Sequence, residues 1–411
     1  MNKNLVFFLF ASLFSIMLHA QTAWPSKAWD AAANLSAALP LGADELSGLY
    51  WNQLTSMLYC VGDGGVFNIL QYDSTSLQYT LICSTLSIDN PEGITKVDDS
   101  ANEFYTIDET SYQICKYTYD TNYKNITKSN SWYLLQAPSP MTDTGNDGPE
   151  GIAFVPDKYL QKIGFVSSLT GKVYTSTKGM GGLFFVAHQH GGYVWVFDVN
   201  PATNNDFAFV GKYLTNRYES CETSFDPSTG LLYVLHNADD NYLEVCDLTT
   251  TKIGNEYKLT MLKEYFIPNP SGKANVEGFA ISPKFPERES LGVWLCRDVK
   301  KNPDISDQLR WFYPYAADGN ELQTKLEERV ANSDQKFQAF VNHKTLTIYE
   351  HAKSENLYNT EIYSVQGKLI KISSHKTFPF KLSIQNIPSG LYYIRINKNN
   401  TTQAATLKIV I

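Results

Sequence analysis

The chain has 411 residues with 34 basic and 42 acidic side chains, a net charge of −8, and 43% apolar residues. Its 25 glycines and 17 prolines are too few for a collagen-like or low-complexity chain, and its charge is too low for a largely disordered one. Its 26 tyrosines and 22 phenylalanines favour strands over helical bundles. The composition therefore indicates a folded, mostly β protein.

The N-terminus predicts export. A short polar segment containing Lys3 precedes an apolar run over residues 5–18, and the small residue Ala20 follows. This order is typical of a cleaved secretory signal, here residues 1–20, and the run is too short for a comfortable transmembrane helix. We therefore expect a secreted protein, extracellular or on the outer-membrane surface, without a transmembrane span.

Charge is distributed unevenly along the rest of the chain. Residues 21–331 carry 23 basic and 38 acidic side chains, whereas residues 332–411 carry ten basic and four acidic ones. Two modules of opposite sign are expected from this difference. The acidic module would repel nucleic acid, so we expect no nucleic-acid partner, and it favours cations or cationic ligands.

A two-part phrase recurs five times in the acidic module. An acidic residue precedes an apolar strand start, and an apolar, aromatic strand that ends in a polar turn follows. The phrase spacing of 47, 58, 72 and 55 residues suits a four-stranded antiparallel blade, and radial stacking of such blades predicts a β-propeller over residues 21–315. Five copies are visible, and six blades also fit; a linear β-solenoid is the alternative. The acidic residues are Glu45, Glu92, Glu150, Glu222 and Glu277.

These five glutamates are the candidate metal ligands. The first strand of each blade lines the central channel of a propeller, so the glutamates are expected to form one ring. Carboxylates in one narrow space need a cation, raised pKa values or hydrogen bonds to the charged form. Hard oxygen ligands suit Ca²⁺ or Mg²⁺, which makes calcium the candidate cofactor. Two alternatives stay open, namely hydrogen bonding to the backbone of an adjacent blade, and catalysis.

A second ring of candidate ligand-binding residues follows from the ends of the second strands. Loops at one end of a rigid propeller commonly carry function, and two histidines there suggest proton transfer near neutral pH. The alternative is that each side chain caps a turn or meets solvent. The residues are Asp63, Asp108, Glu109, His188, His236 and Asp298.

Several chemistries lack their motifs. The sequence contains no nucleophile elbow, phosphate-binding loop, dinucleotide fingerprint or zinc-protease helix motif. Its six cysteines beyond the signal form no C-x-x-C pair, which excludes a zinc ribbon or a thioredoxin-type site. Buried thiols and disulfides both remain open for them.

The phrases resemble those of a known family. Glu-Leu-Ser-Gly from residue 45 and Pro-Glu-Gly-Ile from residues 91 and 149 resemble the SdiA-regulated family of secreted β-propellers. They are also similar to the phytase-like and esterase-like propellers. The resemblance spans residues 42–315 and implies a calcium-type site near the channel, matched directly by Glu92, Glu150 and Glu277. Clustered basic residues, which phytase-type hydrolysis needs, are absent beside most of the phrases.

The C-terminal part is expected to be a separate module. Residues 316–335 form a polar linker, and five short strand-like runs in residues 336–411 predict a small β-sandwich. The segments at residues 362–369 and 387–394 closely resemble the type A sorting domain of the type IX secretion pathway. The resemblance implies the type IX machinery as a partner and passage across the outer membrane. An adhesive or carbohydrate-binding sandwich is the alternative.

The sequence thus predicts an all-β protein, a five- or six-bladed β-propeller followed by a small C-terminal β-sandwich. Two functions follow from the candidate sites. The first is a non-enzymatic, cell-surface or extracellular module that binds a cation or another ligand. The second is a calcium-dependent hydrolase of the phytase-like or esterase-like type. Whether the protein is an enzyme stays open at this stage.

Overall fold

The regular secondary structure of the computed structural model is almost entirely β-strand. The signal expected at residues 1–20 and the linker expected at residues 316–335 lie outside the described residues. Strands are numbered β1–β27 in chain order, and the described part contains one α-helix, α1 (Asp157–Ile163). The described residues are 22–40, 43, 45–73, 76–86, 88–237, 240–268, 276–283, 291–300, 306–315, 337–342, 345–350, 358–364, 368–375, 380–388, 391–398 and 404–410.

Five four-stranded antiparallel sheets surround a common axis. The first strand of each sheet packs against the first strands of the two neighbouring sheets, and the contacts form a closed ring. The described chain is therefore a five-bladed β-propeller, which decides between the five and six blades left open by the sequence. The inner strands are β2 (Leu46–Asn52), β6 (Pro91–Thr95), β10 (Pro149–Pro156), β14 (Ser220–Asp226) and β18 (Val276–Ile281).

The first three blades are simple meanders, with their strands in sequence order from the axis outward. Alternating apolar side chains bury both faces of each sheet against its neighbours, which is why the sequence repeats at blade spacing. The helix α1 follows β10 and ends at Gly164, whose φ of 66° favours glycine. The outer strands are β3 (Met57–Gly62), β4 (Val66–Asp73), β5 (Gln78–Thr85), β7 (Glu103–Asp108), β8 (Gln113–Tyr119), β9 (Ile126–Tyr133), β11 (Gly182–His188), β12 (Tyr193–Val199) and β13 (Phe207–Leu214).

The fourth and fifth blades complete the ring. The outermost strands of the third and fourth blades pair briefly in parallel, at Tyr213 with Tyr257. The fifth blade takes its outermost strand from the other end of the chain, because β1 (Ala33–Asn34) pairs with the last propeller strand. The remaining strands of these blades are β15 (Leu231–His236), β16 (Tyr242–Ile253), β17 (Glu256–Phe266), β19 (Leu291–Arg297) and β20 (Leu309–Tyr315).

A buried carboxylate fastens this closure. Asp307 accepts a hydrogen bond from the Trp29 indole at 2.8 Å and one from Arg310 at 2.9 Å, and it also pairs with the fully buried Arg297. Burial raises the pKa of Asp307, but the three donors outweigh it and hold the pKa below its usual value. The ionised carboxylate therefore ties the N-terminal segment to the fifth blade.

The six cysteines of the propeller are buried free thiols. Cys60, for example, lies in β3 with no exposed surface, and burial raises the pKa of the thiol. The sequence left buried thiols and disulfides as alternatives, and the structure has buried thiols. They pack as small apolar side chains.

The C-terminal module contains two small sheets that share one apolar core. Five strands were expected from the sequence, and the described residues of this module form seven, of which β21 and β25 were not expected. The core includes Leu346, Ile348, Ile362 and Ile394. The three-stranded sheet has the order β21-β22-β25 and the four-stranded sheet β24-β23-β26-β27. Their bounds are β21 (Phe337–Asn342), β22 (Thr345–Glu350), β23 (Tyr358–Ser364), β24 (Leu369–His375), β25 (Phe380–Ser383), β26 (Leu391–Lys398) and β27 (Ala404–Val410).

Candidate functional site

Each inner strand carries a bulge near its first residue. The pairing with the second strand shifts at this point in all five blades, and a bulge of this kind re-aims a side chain. Three of the five candidate glutamates therefore occupy equivalent places around the axis. The bulged residues are Ser47, Glu92, Glu150, Cys221 and Glu277.

The strand register corrects the expectation for the other two glutamates. Glu45 lies two residues before the bulge of its blade and forms an isolated bridge with Asp298. Glu222 lies one residue after the bulge and pairs with Leu235. The repeated phrase was recognised from residue types alone, whereas the strand register depends on the position of the bulge. Ser47 was missed as the bulged residue of the first blade because it carries no charge.

Glycine occupies the place after the bulge in the other four blades. A Cβ atom at Gly48 would lie 2.5 Å from the carbonyl oxygen of Glu92, and one at Gly93 would lie 2.7 Å from that of Glu150. Only glycine permits this approach of neighbouring inner strands. The glycine of the repeated phrase therefore sets the width of the ring.

Seven carboxyl groups gather at the end of the channel where the inner strands begin, and we call this group the acidic mouth. Glu92 and Glu150 are buried, with 7% and 8% of their surface exposed. Asp63 lies beside Glu92, and Glu109 lies beside Glu150, so that each pair is placed to share a proton. Two carboxyl groups can share a hydrogen bond only if one of them carries a proton. The acidic mouth consists of Glu45, Asp63, Glu92, Glu109, Glu150, Glu277 and Asp298.

The pKa values of the acidic mouth reflect burial and mutual repulsion. Burial raises the pKa of Glu92 and Glu150 well above the usual range, and the neighbouring carboxyl groups raise both further. Burial, followed by repulsion from Asp298, raises the pKa of Glu277 to about 8. Burial also raises the pKa of Glu109, although the Gly148 N–H donates to it at 3.0 Å. The acidic mouth therefore holds protons at neutral pH.

One cationic side chain reaches the acidic mouth in the described part of the chain. The Lys300 ammonium lies 2.5 Å from Glu45 Oε1, and more than half of the lysine side chain is exposed. An exposed ion pair of this kind contributes little to stability. It does show that a primary ammonium group fits against this rim.

The carboxyl groups of the described residues do not form a ready-made coordination shell for the expected calcium ion. Within the described ranges, no group of three or more His, Cys, Asp or Glu side chains is placed to hold a metal ion. The carboxyl groups lie in pairs instead. A metal ion would have to separate these pairs before it could bind.

The residues expected in the second ring divide into three groups. Asp63 and Asp298 belong to the acidic mouth. Asp108 is buried and accepts backbone hydrogen bonds from Asn90 at 3.2 Å and Ser111 at 2.7 Å, so it closes two turns. The two histidines, described next, belong to the blades.

Both candidate histidines are buried inside the propeller. His188 packs beside the rings of Tyr112 and Trp195, and burial lowers its pKa to about 4. His236 has no exposed surface, and its Nε2 lies 3.1 Å from Glu244 Oε2 within the fourth blade. Neither was distinguishable from a channel residue in the sequence, because both end a second strand.

A cavity of about 270 Å³ lies at the other end of the inner strands. On its wall the Tyr50 hydroxyl donates to Asp99 at 2.8 Å. The Lys96 ammonium donates to the Ala101 carbonyl at 2.7 Å and to the Tyr119 hydroxyl at 2.9 Å. Burial lowers the pKa of Lys96 to about 8. Hydrogen bonds thus satisfy these polar groups within the protein. The repeated phrase of the sequence did not indicate them.

Comparison with known proteins identifies the C-terminal module. Residues 342–411 match a family model described as a secretion system C-terminal sorting domain. The prediction of a type IX sorting module is thereby confirmed, and the protein is one that type IX secretion delivers to the cell surface or the extracellular space. None of the helices in the described part is long and apolar enough to cross a membrane.

No curated protein matches the chain. Among solved structures, a protein from Lactobacillus plantarum, determined as a structural genomics target, is similar at 9% identity and a TM-score of 0.32. That similarity covers 88% of this chain and 80% of the other. The description of the propeller rests on its own strand pairings.

Proposed function

We propose that the protein is an exported propeller that binds a cationic ligand at the acidic mouth. The observation that supports the proposal is the gathering of seven carboxyl groups at one end of the channel, three of them on equivalent bulges. Like charges repel strongly where water is excluded, so such a group gains most from a cation. Delivery outside the cell places this mouth in contact with external ligands.

Calcium is the first cation to consider, because carboxylate oxygens are hard ligands. An organic ammonium group is the second, because Lys300 already places one against Glu45. Either ligand has to displace the protons that the paired carboxyl groups share. One titration experiment, described next, distinguishes calcium from an organic ammonium ligand.

Cation binding is expected to strengthen as the pH rises. Protons compete for the same oxygens, so each carboxyl group that must ionise below its pKa changes the affinity roughly tenfold per pH unit. For Glu277, whose pKa is about 8, this dependence extends through neutral pH. Calorimetric titration of the full-length protein with calcium and with spermidine at pH 5, 6.5 and 8 measures it.

Two variants locate the binding. Glu150→Gln and Glu277→Gln are expected to weaken binding at least tenfold, whereas the exposed control Glu256→Gln, which removes the same charge from the fourth blade, leaves it unchanged. Affinity that is independent of pH, or equally reduced by all three variants, contradicts the proposal. A response to spermidine without one to calcium identifies an ammonium ligand.

The free protein should respond to pH in the opposite sense. In the window from the ordinary value of 4.5 up to the pKa of about 8 for Glu277, the folded state binds more protons than the unfolded chain. Stability therefore falls as the pH rises through this window. Thermal melts should show a Tm that decreases from pH 5 to pH 8.5 and a decrease that the bound cation reduces.

The second candidate function is a metal-dependent hydrolase, and Glu277 is the observation in its favour. A carboxyl group with a pKa of about 8 is protonated at neutral pH, as a general acid requires. A screen of phosphate and carboxylic esters with added calcium tests this function. Turnover that survives Glu277→Gln would remove Glu277 from that role. The relationship to SdiA-regulated and phytase-like propellers stays a proposal on the repeated phrase.

A further inference from the structure

The four-stranded sheet of the C-terminal module has an apolar surface that faces away from the core. One face of this sheet packs on the core of the module through the buried side chains of Ile362 and Ile394. Successive side chains of a strand point to opposite faces, so Tyr363 and Tyr393, each next to one of these isoleucines, lie on the outer face. The Tyr393 side chain is 38% exposed there.

Four apolar or aromatic residues lie together on this outer face, and we call them the sorting patch. Leu369 of β24 pairs with Tyr363 of β23, which pairs in turn with Tyr393 of β26, so the three residues form one row across the sheet. Ile372 of β24 pairs with Glu361, which lies two residues before Tyr363 and therefore on the same face. Leu369 and Ile372 are 46% and 55% exposed. The sorting patch consists of Tyr363, Leu369, Ile372 and Tyr393.

Most of the sorting patch belongs to the two segments that resemble the type A sorting domain. Residues 362–369 supply Tyr363 and Leu369, and residues 387–394 supply Tyr393. Packing accounts for the inward residues of these segments, but it does not account for apolar side chains on the exposed face. A contiguous apolar surface on a secretion sorting domain indicates a surface that another molecule recognises.

The sorting patch extends to a free strand edge. β24 is the terminal strand of its sheet, so its outer backbone edge pairs with no strand of the described residues. Proteins usually protect such an edge with proline, charge or a bulge. β24 has a bulge near its start but no proline, and its lysine, Lys371, donates to the Ser383 carbonyl of the opposite sheet at 2.6 Å. A strand of a partner protein can therefore extend the sheet at β24.

The charges beside the sorting patch indicate the chemistry of the partner. Lys368 and Arg395 are exposed next to it. Glu361, which shares the outer face, already accepts a hydrogen bond from the Tyr363 hydroxyl at 2.9 Å. The surroundings are thus basic, in keeping with the ten basic and four acidic side chains of residues 332–411. A complementary partner has an apolar groove with an acidic rim.

We propose that the sorting patch and the free edge of β24 form the surface by which the type IX machinery holds this module. The partner is a protein component of that machinery, whose apolar groove covers the sorting patch while one of its strands pairs with β24. The inference rests on the assignment of transport to the C-terminal module. It is independent of the cation proposal for the propeller.

A charge placed in the sorting patch tests the proposal. Leu369→Glu and Tyr393→Glu change exposed side chains, so thermal melts should show that the module stays folded. An unpaired carboxylate in an apolar interface is costly, so export to surface and medium should fall about tenfold or more, with the chain retained in the periplasm. Ser383→Glu is the matched control, because it adds the same charge to an exposed position of the opposite sheet, and it should be exported at the parental level.

Photo-crosslinking identifies the occupant on a folded module. With p-benzoylphenylalanine in place of Tyr393, irradiation of secreting cells should join the chain to a type IX component, identified by mass spectrometry, and the same group in place of Ser383 should not. Parental export of both patch variants would overturn the proposal, and so would crosslinks only to lipid or to a second copy of the chain. If deletion of residues 332–411 stops export while both patch variants are exported normally, the sorting patch is refuted and the transport role of the module stands.

Discussion

Deletion of residues 332–411 is expected to stop the protein from leaving the periplasm. The deletion removes the module that matches the secretion sorting family. It begins beyond Tyr315, the last residue of the propeller strands. The blades keep their pairings, so the loss should concern transport alone. Fractionation of cells that produce the parent and the deleted chain should show an essentially complete shift from surface and medium to periplasm.

A reciprocal fusion provides the control. Residues 332–411 attached to an unrelated periplasmic protein should carry that protein outward through the same pathway. Thermal melts of the deleted chain should retain the propeller transition of the parent. Surface display of the deleted chain at parental levels would contradict the assignment of transport to this module.

Asp307→Asn is expected to cost about 3–5 kcal/mol of stability, because it withdraws the negative charge from the fully buried Arg297. The change also weakens the hydrogen bond from Trp29, which holds the N-terminal segment on the fifth blade. Urea unfolding measured at neutral pH gives the free energy directly. The effect should be the largest of any single carboxyl-to-amide change in the propeller.

Asp30→Asn is the matched control, since Asp30 is exposed and adjoins Trp29 in the same segment. Its effect should stay within about 0.5 kcal/mol. The pKa of Asp307 lies below its usual value, so its contribution is complete above the unfolded pKa and disappears as the pH falls through the folded one. Equal stability of the two variants, or an Asp307→Asn loss that grows on acidification, would contradict this account.

Repetition made the architecture predictable from the sequence, whereas register limited prediction of the site. Each blade must bury both faces, so the apolar strands recur at a spacing that five phrases reveal. Glu92, Glu150 and Glu277 were placed correctly because glycine follows each of them. The roles of these residues in binding stay predictions.

The misplacement of Glu45 and Glu222 has one physical cause. A bulge shifts the pairing register of the strand by one residue. The residue types of the repeated phrase do not show whether a glutamate lies before, at or after that bulge. Glu222 consequently lies one residue after the bulge of the fourth blade, and the uncharged Ser47 occupies the bulge of the first blade. Likewise, His188 and His236 ended strands as expected, but their side chains turned into the blades.

The fifth blade is shared between both ends of the propeller, and this restricts where the expected signal could be cleaved. Thr22, two residues after Ala20, already pairs with Tyr265. A cut only ten residues further along would discard Trp24 and Trp29, whose rings pack against Phe312 beneath the closing strand. The residues that follow the expected cleavage site are thus needed for a closed ring, and their loss would expose the core of the fifth blade.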